Sequence, residues 1–245
     1  MIFVANWKMH GNFNDISKVK TVLNLIRNKK YKKIKIIYCP PFTLLKSFSN
    51  YFKNTKLYTG AQNCHYKDDY GPYTGNVNAK LIKSAGAKYI ILGHSENRNE
   101  GETDLLINQK IKSVLKEKLS IIFCIGETID EKKKKITFQV LKRQISKGLK
   151  GIKNINKIII AYEPVWSIGS GIVPSRNELE KNIKNIKKIL KQFKFKNSVK
   201  ILYGGSVNSK NANEISKIDG IGGLLVGGAS LNSKKFIDII KKTSN

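Results

Sequence analysis

Lys157-Ile158-Ile159-Ile160-Ala161-Tyr162-Glu163-Pro164-Val165-Trp166-Ser167-Ile168-Gly169-Ser170-Gly171 reads as a short buried strand with a carboxylate at its end. A proline stops the strand, and a glycine-rich loop with one large aromatic residue follows. Glu-Pro after a strand is by itself compatible with a surface turn. A base at a strand end beside a mobile loop suits chemistry that must be shielded from water.

Short apolar, β-branched runs recur over residues 2–7, 34–39, 57–61, 89–93, 121–125, 158–163, 201–204 and 223–226. Lysine-rich stretches with helical spacing separate them. In 17–28, Val19, Val22, Leu23 and Ile26 share one face, and in 182–193 Ile183, Ile186, Ile189 and Leu190 do the same. Eight strands alternating with helices, without a linker, imply parallel βα units. A doubly wound sheet alternates in the same way, but it more often carries Gly-x-Gly-x-x-Gly after its first strand. Here the first strand ends in Asn6-Trp7-Lys8-Met9 and the glycine pairs come late. The pattern predicts α/β architecture, a single (β/α)8 TIM barrel with eight parallel strands, as one catalytic domain over residues 1–245.

A chain of 245 residues with 40% hydrophobic content can bury a substantial core, which argues against global disorder. The start, Met1-Ile2-Phe3-Val4-Ala5-Asn6-Trp7-Lys8, reads as a strand and not as a signal peptide. No apolar run approaches the roughly 18 residues of a membrane span, so no membrane partner is expected. Cys39, Cys64 and Cys124 are scattered without metal-ligand spacing, which points to a reducing cytoplasm. The formal charge of +29 invites a nucleic-acid reading. Against it, only Arg27, Arg98, Arg143 and Arg176 among the 46 basic residues carry the guanidinium fork. The lysines spread over every predicted helix as a bias toward Lys, Asn and Ile on solvent-facing positions, so no specific nucleic acid is expected.

In such barrels catalytic residues sit at C-terminal strand ends. Asn6 and Lys8 follow the first predicted strand, His94 the fourth, Ser206 the seventh and Gly227-Gly228 the eighth, while Glu163 ends the sixth. Their shared rim is the argument, since each alone has an ordinary alternative. His94, with Ser95 as a possible helix cap, is either a loop histidine or a neutral imidazole at a helix start, where imidazolium is disfavoured. Lys8 is either a solvated charge or a stabiliser of a phosphate and a developing enolate. The pairs Gly204-Gly205 and Gly227-Gly228 are either plain turns or backbone that approaches a phosphate closely. His10 and His65 are read as local packing residues.

Taken in order, these motifs resemble the triosephosphate isomerase family, from Asn6 to Ser230. Val4-Ala5-Asn6-Trp7-Lys8-Met9 and the eleven residues from Ala161 carry most of that resemblance. It implies that Glu163 moves a proton between adjacent carbons and that His94 polarises the enediolate oxygens, with Asn6 and Lys8 completing a polar wall. A neutral histidine as electrophile is a device established for triosephosphate isomerase itself. Ile168, Gly169, Ser206, Leu225, Gly227 and Gly228 match positions that bind the substrate phosphate or close over it, and 164–174 matches the lid. Glu127 matches a group that anchors the open lid through Trp166, and Cys124 a packing residue beside the base. The implied reaction interconverts dihydroxyacetone phosphate and D-glyceraldehyde 3-phosphate through an enediolate, in glycolysis and gluconeogenesis with a link to the pentose phosphate pathway, with no metal or organic cofactor. An aldolase-type barrel would instead want a Schiff-base lysine within a strand.

The resemblance also implies a cytoplasmic homodimer in which Thr74, in Gly71-Pro72-Tyr73-Thr74-Gly75-Asn76, braces the partner's Asn6 and Lys8. Several positions depart from the family pattern. Asn76 and Asn97 stand where the family usually has glutamate and arginine that meet across the interface. The stretch after Arg98 is one residue shorter than usual. Gly222-Gly223 replaces the common Asp-Gly. Ser167 and Ser170 replace the usual alanine and threonine, and Pro174 should stiffen the lid hinge by fixing φ. These departures bear on lid kinetics and dimer strength, not on the reaction.

Overall fold

The computed structural model describes residues 1–193 and 199–243. Its eight strands are β1 (Ile2–Asn6), β2 (Lys35–Cys39), β3 (Leu57–Ala61), β4 (Tyr89–Leu92), β5 (Ser120–Ile125), β6 (Ile158–Tyr162), β7 (Lys200–Tyr203) and β8 (Ile221–Val226). Each pairs in parallel with its sequence neighbour, and β8 returns to β1, so the sheet closes into a barrel. All eight predicted runs lie on these strands, with ends displaced by at most two residues.

The strands read as nearly continuous apolar runs because both faces are buried. Alternate residues serve two cores. Val4, Ile37, Cys39, Ile91, Ile122, Cys124, Ala161 and Leu202 fill the barrel interior. Phe3, Ala5, Ile36, Tyr38, Phe123, Ile160 and Tyr203 face the surrounding helices. Closure needs Gly223: a Cβ there would stand 1.9 Å from the Ile2 carbonyl oxygen across the β1–β8 seam.

Two helix expectations are corrected. Residues 17–28 are not one helix. Helix Phe13–Lys18 ends, and helix Lys20–Arg27 begins, at Val19, although Val19, Val22, Leu23 and Ile26 are all buried as the spacing predicts. The helix expected over 182–193 runs Arg176–Lys191. It starts directly after the lid, where the Ser175 hydroxyl accepts from the Glu178 amide. The apolar spacing located the packed face, but the polar first turn hid the true start.

Candidate active site

The C-terminal strand ends surround a cavity of about 280 Å3. Asn6, Lys8, His94, Glu163, Ile168, Gly169, Ser206, Leu225, Gly227 and Gly228 all line it, together with Gly171, Gly204, Gly205 and Asn208.

Glu163 follows β6 and stays in register through its amide, which donates to the Ile125 carbonyl at 2.8 Å. Its side chain is 3% exposed. Burial pushes its carboxyl pKa up, while the His94 ring, a hydrogen bond from the Cys124 thiol and the Lys8 ammonium pull the other way. Oε2 has no hydrogen-bond partner within the described protein and lies 3.8 Å from His94 Nε2. A desolvated carboxylate with one oxygen left unpaired is well suited to take a proton. Cys124 is buried beside it, and its thiol pKa is raised well above the ordinary range by that burial.

Two glycines create the space for the base. A Cβ on Gly126 would stand 1.8 Å from the Glu163 carbonyl oxygen, and one on Gly204 would stand 2.5 Å from Glu163 Cγ. Gly204 and Gly205 both line the cavity and each also meets a local steric need: Gly204 makes room for Glu163, and a Cβ on Gly205 would strike the Tyr203 and Ser167 hydroxyls.

His94 itself caps the helix Ser95–Asn99, in place of the expected Ser95. Its Nδ1 accepts from the Glu96 amide at 3.3 Å. An Nδ1 that accepts has no proton, which leaves Nε2, the nitrogen facing Glu163, as the one that can donate.

Lys8 reaches the cavity differently from what strand alternation suggests. The strand ends at Asn6, and Lys8 takes a left-handed backbone with φ 53°. The Asn6 side-chain oxygen accepts from the Lys8 amide at 3.0 Å, and Gln62 Nε2 donates to the Lys8 carbonyl at 2.8 Å. The ammonium pairs with Glu96 Oε1 at 2.6 Å. Glu96 and Gln62 had no assigned role in the sequence. Gln62 directly follows β3 and Glu96 lies two residues after His94, so each stands just beyond a strand end.

The segment expected to form the lid lines the pocket through Ile168, Gly169 and Gly171 and is tied down at several points. Trp166 Nε1 donates to Glu127 Oε1 at 2.9 Å, and Tyr162 OH donates to Glu127 Oε2 at 3.1 Å. Gly171 N donates to Ser206 Oγ at 3.1 Å. The Trp166–Glu127 bond, expected as an anchor of the open lid, is therefore made while the lid is docked on the loop after β7. Among the described residues, no three of His, Cys, Asp and Glu are grouped closely enough to hold a metal ion.

The sequence model described as triosephosphate isomerase matches residues 1–243. The chain belongs to the triosephosphate isomerase family. The triosephosphate isomerase of Alkaliphilus oremlandii is 38% identical over 247 aligned positions, covering 98% of each chain. That of Thermodesulfovibrio yellowstonii is 39% identical, covering 97% of each. The crystal structure of triosephosphate isomerase from Bartonella henselae superposes with a TM-score of 0.90 at 31% identity, over all of this chain and 99% of that one. Thr74 is exposed and does not line this triosephosphate isomerase family site within its own chain.

Proposed function

We propose that Glu163, His94, Lys8 and Asn6 carry out the isomerisation in a site completed by the lid and by the loops after β7 and β8. The protein is an isomerase that interconverts dihydroxyacetone phosphate and D-glyceraldehyde 3-phosphate, a step of glycolysis. Glu163 takes a proton from carbon 1 of the ketose, and the bonding pair moves into an enediolate. The His94 Nε2–H and the Lys8 ammonium stabilise the oxygens on which charge develops. His94 passes the hydroxyl proton from oxygen 1 to oxygen 2, and protonated Glu163 then returns its proton at carbon 2, leaving the carbonyl on carbon 1. Ser206, Gly227 and Gly228, with Ile168, Gly169 and Leu225, enclose the phosphate end. The observation that carries this reading is the buried, unpaired Glu163 oxygen facing His94 Nε2 inside one cavity.

The whole chain acts as one catalytic domain and pairs as a homodimer. The exposed Thr74 turn and large exposed apolar side chains support pairing: Met9 is 94% exposed, and Phe13 and Tyr70 are each 64% exposed. Three buried, free cysteines are consistent with the reducing cytoplasm. No helix among the described residues is long and apolar enough to cross a membrane.

Glu163→Asp tests the base. It keeps the charge but withdraws the carboxylate by one methylene, which lowers kcat on D-glyceraldehyde 3-phosphate by at least about 100-fold. A folded variant with wild-type kcat would remove Glu163 from the mechanism.

A further inference from the structure

Ser167 is fully buried at the root of the lid, and its hydroxyl uses its whole hydrogen-bonding capacity. Its single proton goes to the Ile172 carbonyl at 2.6 Å. That leaves Tyr203 OH, 3.0 Å away, as a donor to it, and the Ser206 amide donates to it at 3.3 Å. Ser206 Oγ in turn donates to the Ser167 carbonyl at 2.5 Å and accepts from Gly171 N. Two hydroxyls thus join the N-terminal root of the lid, its C-terminal half and the loop after β7. Pro174 has no N–H, so position 174 itself adds no backbone donor to this cluster.

Resting on the reaction proposed above, we infer that Ser167 is a positioning residue that latches the lid over the substrate through Tyr203, Ile172 and Ser206. The bond to Tyr203 crosses from the lid to the end of β7 and the bond to Ser206 to the loop after it, so lifting the lid off these groups breaks both. They therefore bias the docked state by differential contacts. With the latch weakened, the bound enediolate spends longer exposed to water. Its carbon–oxygen bond to phosphate can then break, with inorganic phosphate leaving with the electron pair and the remaining enol tautomerising to methylglyoxal.

The test compares wild type, Ser167→Ala, Tyr203→Phe and the double variant. Amide exchange at Gly171 reads the latch without any turnover, and it accelerates about tenfold in Ser167→Ala, the size of one or two lost hydrogen bonds. Phosphate released per isomerisation rises about tenfold, and KM rises with it. The double variant is close to Ser167→Ala alone, because both hydroxyls belong to one cluster. Unchanged Gly171 exchange overturns the latch, whether or not the protein turns over. Faster exchange with unchanged phosphate release and KM, or a lower Tm alone, overturns its role in the reaction. An inactive wild type would instead overturn the isomerase reading and leave the exchange result to stand.

Discussion

Glu163 combines a function with a cost to the fold. Burial holds its carboxyl above the ordinary value of 4.5, so the folded chain binds this proton more tightly than the unfolded one. Stability from this group is present below about pH 4.5 and is lost as pH rises through the higher folded value. Above that window the ionised carboxylate, unpaired at Oε2, opposes folding. Glu163→Gln is therefore expected to raise Tm at pH 7–8, with the advantage fading below about pH 4.5. In wild type, kcat/KM climbs with pH through an apparent value above 4.5 as the base ionises. Calorimetry across pH checks the first expectation, and a Glu163→Gln Tm equal to or below wild type at pH 8 would refute it.

The lid behaves as one element because its roots are bonded and its span is internally braced. Ser170 Oγ donates to the Trp166 carbonyl at 3.0 Å and accepts from Ile172 N at 3.2 Å. At the N-terminal root, Lys132 Nζ lies 3.5 Å from the Trp166 ring centroid and 2.7 Å from Glu178 Oε1. Glu127 is buried, and burial raises its carboxyl pKa while the Trp166 and Tyr162 donors lower it. Trp166→Phe keeps an aromatic face for Lys132 but removes the donor to Glu127. The expected loss is about 1.5–3 kcal/mol for a hydrogen bond to a charged group. At about 2–4 °C per kcal/mol for a chain of this size, thermal unfolding should show a clear drop in Tm. An unchanged midpoint would mean that Glu127 is satisfied without the indole.

At the scale of the whole molecule, the +29 charge meets the interface question. Asn76 is exposed, and its side-chain amide donates to the nearby Thr74 carbonyl at 3.4 Å. With Asn97 opposite in the proposed pairing, no charge is stranded and none is paired. The dimer should dissociate at a concentration that changes little with salt at this contact, and specific activity should fall as dissociation proceeds. Sedimentation and activity assays over a dilution series, repeated at low and high salt, check both statements. Full activity in a monomer would show that Thr74 completes no partner site.

The strands were legible in the chain because parallel strands buried on both faces leave short apolar runs between helical stretches, and the late glycine pairs separated a closed barrel from a doubly wound sheet. Asn6, His94 and Glu163 were legible because a strand end fixes where the next residue stands. The sequence by itself thus determined the strand order, the rim and the residue types gathered there. Tertiary structure decided what depends on contacts between distant segments. It placed Lys8 by a left-handed turn held by Asn6 and Gln62, not by strand alternation. It made Gly204 a space for Glu163, and it made Ser167 and Ser206 partners across 39 residues. Local periodicity carries no record of such approaches, because the atoms that meet belong to strands and loops brought together only when the barrel closes.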